Sequence, residues 1–126
     1  MIDRSHFDGQ YTTSWDKVLA KRTERMKGSI IRELSRLSTH TLAEIRHPPG
    51  TASREHYHTQ AEEVYLVLDG HGDVRIDGET QAIGPGDLIE ILPGQRHKLW
   101  HRGKGDLVLL VTCAPPYDLR EVVFTE

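Results

Sequence analysis

Glycine and proline turns cut most of this 126-residue chain into short pieces. Pro48-Pro49-Gly50, Gly70, Gly78-Glu79, Gly84-Pro85-Gly86-Asp87, Pro93-Gly94, Gly103-Lys104-Gly105-Asp106 and Ala114-Pro115-Pro116-Tyr117 each mark a place where regular structure stops. The pieces between them read as strands over 29–36, 39–46, 63–69, 73–77, 80–83, 88–92, 97–101 and 107–113. Many short strands at regular spacing with such turns predict a β-sandwich or a closed barrel. The tail, 118–126, is expected to add an edge strand.

The N-terminal part follows another pattern. Residues 1–13 are polar and turn-rich. Ser14 offers an N-cap, Trp15, Val18, Leu19, Arg22 and Met26 share one face at helical spacing, and Gly28 is placed as a stop, which predicts a short helix over 15–27. Lys17, Lys21, Arg25 and Lys27 on its other face read as a solvated surface. The expected organisation is an arm and helix over 1–28 and one barrel domain over 29–126, a length that permits a single core.

The bulk numbers exclude several classes of partner. A formal net charge of −3 provides no basic footprint for nucleic acid. No run approaches the ~18 apolar residues that span a bilayer, and the start lacks the apolar stretch of a secretion signal, so no membrane partner and a cytoplasmic location are expected. The one cysteine, Cys113, leaves no intrachain disulfide.

His56-Tyr57-His58 is the chemically decisive segment. Side chains at i and i+2 share a face only on an extended backbone. With Glu63 on the next strand and His97 on a later one, three imidazoles and a carboxylate can converge inside a barrel. That donor set suits one divalent transition metal, Fe, Mn, Ni, Co, Cu or Zn, and affinity order alone does not select among them.

These residues resemble the two motifs of the cupins. The first motif is a glycine, five residues, His-x-His, three or four residues, a glutamate, six residues and a glycine. Gly50, His56, His58, Glu63 and Gly70 match it in full, and the gap to Gly70 favours Glu63 over Glu62 as the carboxylate. Gly86, Gly94 and His97 match the second, with Leu92 where a proline is expected and His101 where an asparagine is expected. The similarity covers about residues 29–117. It implies an all-β fold, a double-stranded β-helix or jelly-roll barrel, beside the short N-terminal helix. It also implies the metal ligands His56, His58, Glu63 and His97, and a homodimer. The apolar outer faces of 63–69 and 107–113 favour a covered face as well.

Strand parity extends the pocket. With Glu63 inward, Tyr65 and Val67 are inward; with His97 inward, Leu99 and His101 are inward and Trp100 faces away. His101 is therefore a candidate base or additional ligand, or a hydrogen-bonded histidine at the barrel mouth, and Tyr65 a second candidate for moving a proton. Tyr57 points away from the metal. Arg46 and Arg54 are candidates for an anionic substrate, with ordinary surface roles as the alternative. Glu90 either faces solvent on an edge, meets a cation across an interface, or lines the pocket. Cys113 reads as a small buried hydrophobe. The expected function is a metal-dependent enzyme acting on a small oxygenated metabolite. Dioxygenase chemistry is the first expectation, and metal-assisted isomerase or lyase chemistry or non-catalytic binding of a sugar or organic acid are the alternatives.

Overall fold

The structure, a computed structural model, describes residues 23–26 and 28–126. Its strands in chain order are β1 (Thr23–Met26), β2 (Ser29–Arg36), β3 (Thr41–His47), β4 (His56–His58), β5 (Glu62–Asp69), β6 (His71–Ile76), β7 (Glu79–Ile83), β8 (Leu88–Ile91), β9 (His97–Arg102), β10 (Leu107–Ala114) and β11 (Val122–Phe124). One 3-10 turn, Leu119–Glu121, precedes β11. Two antiparallel sheets form, one ordered β1-β2-β3-β10-β5-β8 and the other β11-β4-β9-β6-β7. This is the expected jelly-roll barrel, and β11 is the edge strand expected of the tail. Among the described residues no helix is long and apolar enough to cross a membrane.

The predicted helix over 15–27 needs correction at its end. Thr23–Met26 is a strand that pairs antiparallel with β2, Thr23 opposite Arg32 and Met26 opposite Ser29. Gly28 sits at φ +87°, a left-handed value suited to glycine in the turn between them. The backbone of Thr23–Met26 thus finds its partners in a neighbouring strand, and this overrides local helical spacing. The rest of that predicted helix, 15–22 and 27, and the arm 1–13 lie outside the described residues.

Alternation builds the core. Glu63, Tyr65 and Val67 on β5 are buried, whereas Val64 and Leu68 are exposed. Leu107, Leu109 and Val111 of β10 and Leu99 of β9 close over Tyr65, Val67, Val74, Ile83, Ile89 and Ile91. Gly70 ends β5 where no side chain fits: at φ +78°, a Cβ would lie 2.1 Å from the carbonyl oxygen of Asp106. The β5–β10 ladder therefore needs glycine at the end of the first motif.

Among the described residues strand β8 is one of the two edges of the larger sheet, and Glu90 lies exposed on its outer face. Glu90 is therefore not among the residues that line the cavity described below. Trp100 faces outward beneath the cationic groups of Arg75 and Lys98, at 5.0 and 5.1 Å from its ring.

Candidate metal centre

Three strands bring the four candidate ligands together. His56 of β4 stands opposite His97 of β9, and their rings lie 4.2 Å apart. His58 follows on the same face, and Glu63, the second residue of β5, has its side chain inward. One donor atom from each of His56, His58, Glu63 and His97 lies within 4.8 Å of the other three. Glu62, the rival carboxylate, is exposed.

The outer nitrogens of the imidazoles fix the inner ones. His56 Nδ1–H donates to the Arg54 carbonyl at 2.7 Å, and His97 Nδ1–H to the Gln95 carbonyl at 2.9 Å. His58 Nδ1–H donates to Glu121 Oε1 at 2.8 Å. A carbonyl or carboxylate only accepts, so the Nδ1 atoms carry protons and the Nε2 atoms face the cluster, where a bound cation would displace any proton shared with Glu63. His97 Nε2 is buried with no hydrogen-bond partner among the described residues. An orphaned imidazole nitrogen in a three-imidazole, one-carboxylate cluster is what a metal ligand looks like without its metal, so the residues fit a divalent transition ion.

The electrostatics agree. Glu63 Oε1 lies 3.0 Å from His58 Nε2 and 3.3 Å from His97 Nε2. Burial opposes the Glu63 charge, but the adjacent imidazoles of His58 and His97 overcome that and bring its pKa down to about 2. Burial, and after it His97, holds His56 down at about 4, so that ring stays neutral. For His58 burial works against protonation, yet the carboxylates of Glu63 and Glu121 raise its pKa.

Tyr65, fully inward on β5, donates its hydroxyl to Glu63 Oε1 at 3.3 Å. Burial and the adjacent Glu63 charge push its pKa well above the ordinary value, so the hydroxyl keeps its proton and is a hydrogen-bond donor there. His101 is elsewhere. Its Nδ1 accepts from the Gly50 amide at 3.1 Å and its Nε2–H donates to the Gly105 carbonyl at 2.6 Å. Both nitrogens tie loop to loop, and His101 belongs neither to the four-donor group nor to the lining of the adjoining cavity. Burial lifts Cys113 to about 12, in keeping with an inert thiol.

That cavity measures about 500 Å³ and is lined by all these ligands except His97, together with Tyr65, Arg54, Tyr117 and Phe124. Arg54 therefore borders it, its guanidinium 4.1 Å from the Phe124 ring centre. Arg46 does not, since it pairs with Glu44 and Asp106. Sequence reasoning missed Glu121, whose carboxylate also accepts from the Gln60 amide at 3.0 Å and the Thr59 hydroxyl at 3.2 Å. It sits 63 positions from His58 and outside both motifs. Glu121→Gln is expected to weaken metal binding by about 10- to 100-fold, the usual cost of losing a ligand's outer hydrogen-bond partner. Competition titration with a chelator measures this, and unchanged affinity would count against the Glu121 role.

Comparison with known proteins identifies relatives of this chain. The chain is 34% identical over 119 residues to protein MJ1618 of Methanocaldococcus jannaschii, covering 90% of this chain and 94% of that one. It is 36% identical over 72 residues to the beta-D-galactosidase Rv1717 of Mycobacterium tuberculosis, 57% of this chain and 60% of that one. Among solved structures, Streptomyces Pac13 bound to uridine superimposes with a TM-score of 0.78 at 17% identity, covering 93% of this chain and 92% of that one. Pac13 is described as a nucleoside dehydratase. The cupin domain profile matches residues 43–113, a span that carries all four candidate ligands and the β3–β10 ladders that position them, and the chain belongs to the cupin family.

Proposed function

We propose that the protein is a cytoplasmic, metal-dependent enzyme that polarises an oxygen of a small oxygenated metabolite and moves a proton at the neighbouring carbon or oxygen. The observation that carries this reading is the Tyr65 hydroxyl bonded to Glu63 in the three-imidazole cluster, of which His56 and His58 line a cavity of about 500 Å³. A bound divalent ion supplies Lewis acidity. Tyr65 holds a proton at Oη that Glu63 orients, Arg54 offers charge at the cavity wall, and the buried faces of Leu99 and Val111 exclude water. This favours lyase or isomerase chemistry, and the fold likeness to a nucleoside dehydratase supports the same class.

Dioxygenase chemistry on a chelating enol or diketone-like substrate is the second reading. The 3-His/1-Glu donor set favours it, since such a set leaves positions for oxygen and substrate. The reading includes a homodimer, because Val64, Leu68 and Leu88 (66% exposed) lie on the outer face of β5 and β8.

The test begins with metal analysis of untagged protein, then assays of nucleosides, sugars, sugar acids and diketones with an oxygen electrode in line. Turnover without oxygen uptake is expected. Tyr65→Phe should keep its metal and lose about a hundredfold in kcat, the scale of general acid–base catalysis. Oxygen consumption would move the assignment to the second reading. Compounds that raise the melting temperature without being turned over would make the protein a binding module.

A further inference from the structure

A second polar group borders the same cavity, apart from the metal centre. Ser29, the first residue of β2, and His47, the last of β3, both line it, and both are almost completely buried, at 4% and 1% exposure. Their side chains meet at 2.8 Å between Ser29 Oγ and His47 Nδ1. The other ring nitrogen, His47 Nε2, is buried without a hydrogen-bond partner among the described residues. Leaving a buried polar atom unpaired is costly, and natural folds rarely do so without use.

The direction of the Ser29–His47 bond decides what Nε2 presents. A buried hydroxyl must donate, and among the described residues Nδ1 is the acceptor that the Ser29 hydroxyl meets. Nδ1 is then the lone-pair nitrogen, and the ring proton sits on Nε2.

We infer that the Ser29–His47 pair is a second binding subsite, which donates His47 Nε2–H to a hydroxyl or carbonyl oxygen at the far end of a neutral, polyhydroxylated ligand such as a nucleoside or a glycoside. The inference rests on the proposal that this cavity holds the substrate. Burial, and after it the nearby His101, holds His47 down at about 4, so the ring is an uncharged donor at neutral pH. It therefore suits a neutral oxygen rather than serving as a counter-charge for an anion. Ser29 is the positioning residue that fixes the tautomer.

Calorimetric titration of the protein as purified, with uridine and with methyl β-D-galactopyranoside as probes, tests this. At least one probe is expected to bind. His47→Phe should weaken that binding about tenfold or more, His47→Gln, which keeps an N–H donor, should retain most of it, and metal content should be equal in all. Should His47→Phe fail to fold, Ser29→Ala carries the test, with a several-fold loss expected. Failure of both probes to bind the wild type, or equal affinity in His47→Phe or in the substitute Ser29→Ala, overturns the subsite. The variant His56→Ala/His58→Ala separates the two proposals. If it binds the probe normally while His47→Phe does not, the subsite stands and the metal-centred reading fails. If it loses binding while His47→Phe keeps it, only the subsite fails.

Discussion

Replacing His56 and His58 together by alanine is expected to leave a folded protein that no longer retains a stoichiometric divalent metal ion. Two of the four donor atoms that lie within 4.8 Å of one another are lost, and the remaining Glu63 and His97 are too few for a tight transition-metal site. The barrel should survive, because neither histidine belongs to the apolar cluster built on Tyr65, Leu99, Leu107 and Leu109. Removing His56 also removes a ring that burial already disfavours in its charged form. The clearest readout is the response of stability to metal. A ligand present at a thousand times its dissociation constant stabilises the folded state by about 4 kcal/mol. The wild type should therefore lose melting temperature on exhaustive chelation, and the double variant should not. Elemental analysis gives the direct check, and an unchanged metal content in the variant would remove the site assignment.

How much of this was readable in the chain depends on the distance over which each signal acts. His56 and His58 declare themselves because a strand repeats every two residues, and the same parity brought Tyr65 to the right face. The six-residue gap to Gly70 chose Glu63 over Glu62, and the burial pattern agrees. Parity fixes a face, however, and not a partner. His101 has its nitrogens taken by Gly50 and Gly105, which approach only once the loops are folded. Glu121 reaches His58 because β11 pairs with β4, Val122 opposite His58, a long-range event that no local spacing announces. The Ser29–His47 pair depends likewise on the β2–β3 ladder, and the sequence offers only two ordinary residues 18 positions apart. At Thr23–Met26 a helical pattern yielded to a strand for the same reason, since β2 supplied the backbone partners.

The metal-free protein should lose stability steeply as the pH falls from about 6.5 to 4. His47 and His56 are both brought from the ordinary 6.5 to about 4, in each case chiefly by burial. Above pH 6.5 both rings are neutral in the folded and unfolded chain, and their contribution is constant. Below it the unfolded chain takes up protons that the folded barrel refuses, so the balance tips toward unfolding until the folded pKa is reached. At 1.36 kcal/mol per unit, each ring accounts for about 3 kcal/mol across that window. His58 runs the other way: its raised pKa gives stability that is complete below 6.5 and lost only as the pH rises through the folded value. It therefore leaves the acid window unchanged. Glu63, held at about 2, adds a further loss as the pH drops from about 4.5 toward 2. Urea unfolding of chelator-treated protein at several pH values measures the slope, and a flat stability between pH 7 and 4 would refute it. His47→Phe should remove about half of that dependence while keeping the His56 half, because the two rings belong to separate clusters in the cavity wall. Bound metal should add to the slope, because protons compete with the ion for His56 while leaving His47 untouched.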